Sequence, residues 1–225
     1  MNQYLKWDEQ TITDFSDNTI NRLYHDGYVF TRKEKGVMNQ TRSVRIDLNK
    51  FKLSSENRRI LRKTKDLVLS DKQLPTNNYH WSIGKMAKDF YTTKFGDGTF
   101  SANKVKELLT TEYNFNTLFS YSLGSETIGY AICYENNNIL HYSYPFYDLL
   151  PKTYNLIPNL GMSMMLHTIL YAQENNKKYM YLGSASRPTD VYKLQFAGLE
   201  WFDGKVWQTD IEELKNILKP TNINI

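Results

Sequence analysis

The segment 117-TLFSYSLGSETIGYAICYENNNILHYSY-144 decides the fold class, because apolar and polar residues alternate along most of its length. The alternation divides it into three runs: Thr117–Leu123, Thr127–Tyr134 and Ile139–Tyr144. A period of two is typical of strands that bury one face of a sheet. Gly124-Ser125 and 136-NNN-138 separate the runs, and short polar connections of this kind favour hairpins. The segment therefore predicts three consecutive antiparallel strands.

Helical and strand patterns continue on both sides of this segment. Upstream, two helices are predicted at Trp81–Lys94 and Ala102–Thr110. Downstream, five further elements follow: a helix at Ile157–Glu174, a strand at Lys178–Gly183, a helix at Pro188–Phe196, a strand at Leu199–Trp207 with a turn at Asp203-Gly204, and a helix at Ile211–Leu218. The pattern favours a mixed α/β (α+β) fold whose sheet is mostly antiparallel and flanked by helices.

This order of elements resembles the GCN5-related acyltransferase (GNAT) architecture. The resemblance implies that two neighbouring strands splay apart and that the acyl donor sits in the gap, beside the N-terminus of a helix. A helix N-terminus attracts anions, which suits a phosphate-bearing donor. Fold order alone does not specify the substrate.

The chain is predicted to have two parts, a small basic α/β portion at residues 1–70 and a GNAT-like transferase domain at residues 71–225. Four elements are predicted in the first part: a helix at Asp17–Asp26, strands at Tyr28–Phe30 and Ser43–Leu48, and a basic helix after them. The loop 71-DKQLPTNN-78 carries turn-forming residues and marks the boundary. Whether the first part is a separate domain or an extra layer on the main sheet is open.

Positive charge is concentrated in this N-terminal portion. The 225-residue chain has a net charge of +4, but the segment from Arg32 to Asp66 contains twelve Lys/Arg and four Asp/Glu. Its densest stretch is 54-SSENRRILRKTK-65, in which apolar residues recur at helical spacing behind a serine N-cap. Four cations then share one side of a helix: Arg58, Arg59, Arg62 and Lys63. A charged helix face is often only solvated, but this segregation predicts a polyanion site, for which nucleic acid is the natural partner.

The amino-acid composition excludes several classes of protein. Cys133 is the only cysteine, which excludes an internal disulfide and a cysteine-built zinc or iron–sulfur site. The four histidines are scattered without metal-ligand spacing, so no metal is expected and each is predicted to be packed or hydrogen-bonded. No apolar run approaches the roughly 18 residues of a membrane helix, and the start MNQYLKWDEQ does not resemble a signal peptide. A cytoplasmic protein without membrane association is expected.

A series of short blocks resembles the arginyl-tRNA–protein transferase family. In 179-YMYLGSASRPTDVYKLQFAGLEWFDGKVW-207, the YLG, YK-x-x-F and D-G-x-x-W elements are similar to the family's Y-L-Y-L-G-Y-W and Y-K-x-x-F-x-P-x-E. The segments 142-YSYPFYD-148 and NLGMSMMLHTILYAQE are similar to its Y-S-F-F-D-P and S-L-G-T-x-x-I-L blocks. The segment 46-IDLNKFKLSSENRRILRKTKDL-67 is similar to V-R-V-x-x-F-x-x-S-x-S-Q-R-R-V-L-R-R-N, and 94-KFGDGTF-100 to H-G-D-G. The blocks keep their order from about residue 20 to residue 207.

The resemblance implies an aminoacyltransferase that moves an amino acid, with arginine as the first candidate, from a charged tRNA to the α-amine of a protein N-terminus. The donor is then a tRNA 3′ end, no coenzyme is expected, and the four cations would neutralise acceptor-stem phosphates. The reaction is an ester aminolysis, which needs a neutral amine, donors for the oxyanion and a proton for the departing 3′ oxygen. No covalent enzyme intermediate is required, so the absence of a Ser/His/Asp or Cys/His signature fits.

Candidate site residues follow from these blocks. Three are candidates for proton handling or other catalytic roles: Lys193, Tyr192 and Tyr144. Five are candidates for donor binding: Gly161, Ser163, Gly183, Asp190 and Glu200. Structural roles remain open, since Lys193 can cap a sheet edge, Tyr192 can be a core aromatic, and the small residues can serve a tight turn. An acidic residue facing the pocket would suit a cationic aminoacyl side chain.

The sequence departs from the family at three places. The segment 30-FTRKEKGVMNQTRSVRI-46 lacks the family's cysteine pair, Gly183-Ser184-Ala185 stands where the family has G-Y-W, and Gly198 occupies the position of the proline. The transferred amino acid, the acceptor residue and the oligomeric state therefore stay open.

Three other functions remain in view. A coenzyme A-dependent GNAT N-acyltransferase is the main alternative, although 158-PNLGMSMMLHTIL-170 lacks the basic, glycine-rich loop that binds pyrophosphate in such enzymes. A catalytically silent RNA-binding module on the same fold is a second. Ligases that use aminoacyl-tRNA to build cell-wall peptides share the donor and the fold, but the short N-terminal half favours protein modification.

Overall fold

The computed structural model describes residues 5–150, 153, 157 and 159–219. The elements follow in chain order: β1 (Asp8–Thr11), α1 (Asp17–His25), β2 (Tyr28–Phe30), β3 (Val37–Gln40), β4 (Ser43–Asp47), α2 (Ser55–Lys63), β5 (Leu67–Gln73), α3 (Trp81–Phe95), α4 (Ala102–Thr110), β6 (Thr117–Leu123), β7 (Glu126–Glu135), β8 (Ile139–Tyr147), α5 (Leu160–Glu174), β9 (Tyr179–Ser184), a 3-10 helix (Pro188–Gln195), β10 (Leu199–Phe202), β11 (Trp207–Gln208) and α6 (Ile211–Leu218).

The large sheet has the strand order β11-β10-β4-β9-β8-β7-β6-β5. Strands β8 and β9 pair in parallel, and the other neighbours in this sheet pair antiparallel. A smaller antiparallel sheet has the order β1-β3-β2. Helices flank the large sheet, so the predicted fold class, a mixed α/β fold with a mostly antiparallel sheet, is confirmed.

Strands β8 and β9 diverge after a short parallel pairing. Their register contains three pairs: Ile139 with Tyr179, Leu140 with Met180, and His141 with Tyr181. Beyond this point β8 continues to Tyr147 along β7, and β9 continues to Ser184 along β4. The predicted splay between two neighbouring strands is therefore present. Helix α5 connects β8 to β9 in the chain. Its N-terminus therefore follows the end of β8 that has separated from β9.

Two apolar clusters cover the two faces of the sheet. The first packs side chains of α2, α5 and α6, such as Ile60, Met165 and Leu214, against the strands. The second packs side chains of α1, α3 and α4. Neighbouring residues of β8 divide between them, since Leu140 belongs to the first cluster and Ile139 to the second. This alternation is the strand period that the sequence predicts.

The N-terminal portion contributes to the large sheet. Strand β4 lies between β10 and β9, and β5 forms the edge next to β6. The predicted boundary at residue 70 falls inside β5, and the division into two units stays a prediction. The prediction of a loop at 71–78 is wrong for the first three of these residues, because they belong to β5 and pair with β6. Most side chains of β5 are exposed, so this edge strand lacks the apolar alternation by which strands are recognised.

The observed ends of two other helices differ from the predicted ends by a few residues. The helix predicted from Ile157 begins at Leu160, and residue 158 lies outside the described residues. The helix predicted at Pro188–Phe196 is a 3-10 helix ending at Gln195. None of the helices in the described ranges combines the length and the apolar character needed to cross a membrane.

Candidate active site

A cavity of about 630 Å³ lies beside the part of β8 that extends beyond its pairing with β9. Its walls come from α2, α3, β8, the first turn of α5 and the 3-10 helix, and include Ile60, Phe95, Tyr142, Gly161, Asp190 and Tyr192. A volume of this size is typical of small-molecule sites. The cavity therefore adjoins the β8 side of the splay, the feature that the GNAT resemblance implies for the acyl donor.

The first turn of α5 lies close against β8. A Cβ atom at Gly161 would be 3.0 Å from Cε1 of Tyr147, so a larger residue would require the Tyr147 ring to shift by a few tenths of an ångström. Asn159 precedes the helix with a left-handed φ of 67° and its side chain makes no capping hydrogen bond. Gly161 lines the cavity as predicted for donor binding. Ser163 is fully buried and donates its hydroxyl to the Asn159 carbonyl at 3.3 Å, so it stabilises the turn.

Asp190 anchors the 3-10 helix at the edge of the cavity. Its Oδ2 accepts hydrogen bonds from the backbone N–H groups of Ser186 at 3.0 Å and Arg187 at 2.9 Å, and its Oδ1 lies 3.2 Å from the Arg187 guanidinium. Burial alone would raise the pKa of Asp190. The nearby charge of Lys193 and the two N–H donors outweigh burial and hold the pKa below its ordinary value. Asp190 is therefore a buried anion that lines the cavity.

Replacing this anion gives a pH-dependent loss of stability. We expect Asp190→Asn to lower the free energy of unfolding by about 1–3 kcal/mol at pH 7, because a charged acceptor of buried N–H groups is lost. The folded pKa is depressed, so the contribution is present above the unfolded value of about 3.9 and disappears as the pH falls through the folded pKa. Urea denaturation of both proteins between pH 3 and 8 measures this. A difference that stays constant with pH would contradict it, and Asp89→Asn in an exposed ion pair of α3 is the control.

Tyr192 and Lys193 are neighbours in the 3-10 helix but differ in environment. Tyr192 lines the cavity with 44% of its surface exposed. Desolvation, and then the charge of Asp190, raise the pKa of Tyr192 to about 12, so the phenol is protonated at neutral pH. Lys193 is buried and is not among the residues that line the cavity. Its Nζ donates to the Ser184 carbonyl at 2.6 Å and lies 4.0 Å from Asp190, so it ties the 3-10 helix to β9.

The buried side chain of His141 lies near Lys193. His141 is 3% exposed and its Nδ1 is 2.8 Å from the hydroxyl of Tyr24. Burial, followed by the charge of Lys193, lowers the pKa of His141 to about 3, so this imidazole is neutral. Gly183, with a left-handed φ of 74°, lies beside it, since a Cβ there would be 3.8 Å from Nε2 of His141. No cluster of three or more residues able to hold a metal ion occurs in the described ranges.

Two more sequence candidates, in addition to Ser163, Gly183 and Lys193, do not line the cavity. Tyr144 packs edge-on against Phe100 and Phe115, in the cluster on the opposite face of the sheet. Glu200 pairs with Arg45, at 2.8 Å between Nη2 and Oε2, and with Lys50. Neither residue is among those that line the cavity.

Tyr142, which the sequence analysis did not single out, lines the cavity in the place expected for Tyr144. Strict alternation would put Tyr142 and Tyr144 on one face. A β-bulge places Tyr142 opposite Cys133 and Tyr144 opposite Ile132, with Ser143 as the extra residue. The two tyrosines therefore belong to clusters on opposite faces. No local signal in the sequence indicates this bulge.

The basic helix α2 forms one wall of the cavity. Ser54 and Asn57 cap it reciprocally, each side chain accepting the other's backbone N–H at 3.1 Å. Glu56 and Ile60 line the cavity. Arg59 is held by Glu56 through two contacts of 2.6 and 2.5 Å. Three cations remain exposed on the same helix: Arg58, Arg62 and Lys63.

Comparisons with known proteins find only distant likenesses. No protein-family model matches the chain, and no curated protein matches it significantly. Among solved structures, L-PGS from Bacillus licheniformis is similar at 12% identity over 89% of this chain and 70% of its own, with a TM-score of 0.46. FemX is similar at 11% identity over 75% of this chain and 60% of its own, with a TM-score of 0.44. An aminoglycoside acetyltransferase from an uncultured soil metagenomic sample is similar at 16% identity over 56% of this chain and 82% of its own, with a TM-score of 0.36.

At these identities and TM-scores, nothing about the fold or the activity of this chain is concluded from the likeness. The resemblance to the arginyl-tRNA–protein transferase family stays a prediction from the sequence.

Proposed function

We propose that this chain is an aminoacyl-tRNA–dependent transferase that moves an amino acid, arginine as the first candidate, to the α-amine of a protein N-terminus. One observation carries the proposal: α2 contributes Glu56 and Ile60 to the cavity wall and exposes Arg58, Arg62 and Lys63 to solvent. A tRNA acceptor stem along these cations would have its phosphates neutralised. Its aminoacylated 3′ end would then enter the cavity at the splay.

The cavity provides groups for ester aminolysis. The protonated phenol of Tyr192 can donate a proton to the departing 3′ oxygen. Asp190 lines the cavity, but its two oxygens are engaged by Arg187 and by two backbone N–H groups, so it shapes the cavity wall and the acid that would pair with a cationic aminoacyl side chain stays open. Lys193 positions this segment through its hydrogen bond to Ser184 and does not itself line the cavity. Aminoacyl-tRNA brings its own activated ester, so the proposed reaction needs no coenzyme.

A coenzyme A-dependent acyltransferase is the second candidate. The first turn of α5 lacks a side-chain cap, and uncapped N–H groups at a helix start bind phosphates. Against it, the sequence Leu160–Ser163 brings no Lys or Arg to this turn, and a pyrophosphate carries two negative charges or more. The basic surface lies on α2 instead.

A transfer assay separates the two candidates. Purified protein is incubated with tRNA charged with one labelled amino acid at a time and with peptides that begin with Asp, Glu, Lys, Arg or oxidised Cys. We expect label to enter peptide from one aminoacyl-tRNA and to be absent from peptides whose α-amine is acetylated, because only a free amine attacks the ester. Turnover of acetyl-coenzyme A without transfer from any charged tRNA would reject the proposal and favour the alternative.

A further inference from the structure

Two exposed aromatic rings mark the rim of the cavity. Among the described residues, Phe95 and Tyr192 are the large apolar or aromatic side chains that both line this cavity and keep more than a third of their surface exposed, at 46% and 44%. Phe95 is the last residue of α3, and Tyr192 lies on the 3-10 helix. Exposed aromatic surface that is rimmed by polar residues marks a binding surface.

The ring of Phe95 is held in place by two other aromatic rings. Its centre is 5.6 Å from that of Tyr91 and 6.5 Å from that of Phe90. Both of these neighbours are buried, so they support the ring from the core side. A ring that is already fixed loses little conformational freedom when a ligand stacks on it.

Two cations accompany this ring. The guanidinium of Arg187 lies 5.0 Å from the centre of the Phe95 ring, and its side chain is 42% exposed. A guanidinium carries five N–H donors, and the contact with Asp190 Oδ1 at 3.2 Å engages only part of them. Lys94, which precedes Phe95, is exposed and lines the cavity. The rim therefore combines a flat apolar surface with two positive charges.

This combination fits an unpaired strand of nucleic acid. Bases stack on aromatic side chains and on guanidinium planes, and the phosphates between them pair with cations. A peptide N-terminus fits less well, because Arg187 and Lys94 would repel its α-ammonium group. The basic helix α2 forms another wall of the same cavity, so the rim continues the surface on which the proposed function places the acceptor stem.

We propose that the ring of Phe95 stacks with a base of the unpaired 3′ end of a charged tRNA, while Arg187 pairs with a phosphate of the same strand. The inference rests on the proposed function and deepens it, since it states how the end of the donor is held at the cavity. A terminal nucleotide stacked on Phe95 would have its ribose in the cavity that Tyr192 lines. The phenol is the proposed proton donor to the 3′ oxygen of that ribose.

The variant Phe95→Leu tests this inference when binding is measured with intact tRNA and with tRNA that lacks its unpaired 3′ nucleotides. Leucine keeps an apolar side chain against Phe90 and Tyr91 but removes the flat ring. We expect intact tRNA to bind about 10-fold more weakly, because one stacked base is lost, and shortened tRNA to bind as it does to the wild type. Phe95→Trp keeps a flat ring and should bind intact tRNA within about threefold of the wild type.

The matched control is Trp81→Leu. Trp81 lies at the other end of α3, is 65% exposed and is not among the residues that line the cavity. We expect this variant to bind both forms of tRNA as the wild type does. The phosphate contact is tested by Arg187→Gln, which should make the slope of log K against log salt shallower by about one for intact tRNA and leave it unchanged for shortened tRNA.

Each alternative outcome is decisive. Equal weakening of intact and shortened tRNA by Phe95→Leu would show that the ring serves the fold, and would overturn the inference. Weaker binding of the acceptor peptide or of coenzyme A, with tRNA binding unchanged, would assign the ring to that ligand and overturn it too. Wild-type transfer together with normal binding of intact tRNA by Phe95→Leu would overturn the inference and leave the proposed function standing. A wild-type protein that neither binds tRNA nor transfers an amino acid from it would overturn both.

Discussion

Replacing Arg58, Arg62 and Lys63 together by glutamine should weaken tRNA binding about 10- to 100-fold at 0.1 M salt and reduce transfer in parallel. These are the α2 cations that the structure leaves exposed, whereas Arg59 is engaged by Glu56. Each phosphate contact releases about one counterion, so the slope of log K against log salt should become shallower by about two to three. The free energy of unfolding should change little, because the three side chains lie on the surface.

A salt titration of tRNA binding with the wild type and the triple variant measures this. The matched control carries Lys106→Gln, Lys205→Gln and Lys215→Gln, which removes the same charge at exposed positions that do not line the cavity. We expect the control to bind nearly as the wild type does. Equal weakening in both triple variants would mean that only net charge matters, and would reject α2 as the tRNA surface.

Removing the guanidinium at Arg45 should lower the free energy of unfolding by about 3–5 kcal/mol, since a buried carboxylate then loses its partner. Arg45 on β4 holds Glu200 on β10 with two contacts of 2.8 and 2.9 Å, and its guanidinium lies between the rings of Tyr179 and Trp207, 3.9 and 3.7 Å from their centres. Lys50, whose side chain is 62% exposed, also contacts Glu200. Lys50→Ala should have a much smaller effect, because solvent screens an exposed pair.

Urea denaturation of Arg45→Ala, Lys50→Ala and the double variant Arg45→Met/Glu200→Leu tests this prediction. The double variant removes both charges and should recover most of the stability, because no unpaired charge is left in the core. An Arg45→Ala protein less than about 1 kcal/mol below the wild type would contradict the prediction. A stable double variant with normal KM for charged tRNA would also show that Glu200 serves the fold and not donor binding.

The sequence predicted those elements whose local signals agree with one another. Strands β6 to β8 follow from alternation bounded by turn residues, and α2 follows from a serine cap with apolar residues at helical spacing. Strand β1 was missed because all four of its residues are exposed, so it shows no apolar alternation, and its place beside β3 is set by backbone pairing and by polar contacts such as that of Asp8 with Tyr28. The exposed edge strand β5 was cut short for a related reason.

The candidate site was predicted in part. Gly161, Asp190 and Tyr192 line the cavity, since they lie on the two segments that flank the splay. Tyr144 and Tyr142 exchange places because a β-bulge is a property of strand pairing, which one strand's sequence does not encode. Glu200 follows a recognisable motif, but its partner Arg45 lies 155 residues away in the chain. Long-range pairs of this kind are invisible to patterns of local spacing.

The position of β4 between β9 and β10 has a consequence for synthesis on the ribosome. Both partners of β4 are translated more than a hundred residues after it, so neither of its edges can be paired while the chain emerges. Every residue of β4 is buried in the finished sheet, and a non-local pairing of this kind forms slowly. The nascent chain must therefore keep a strand with two open edges from associating with other chains until β9 and β10 have been made.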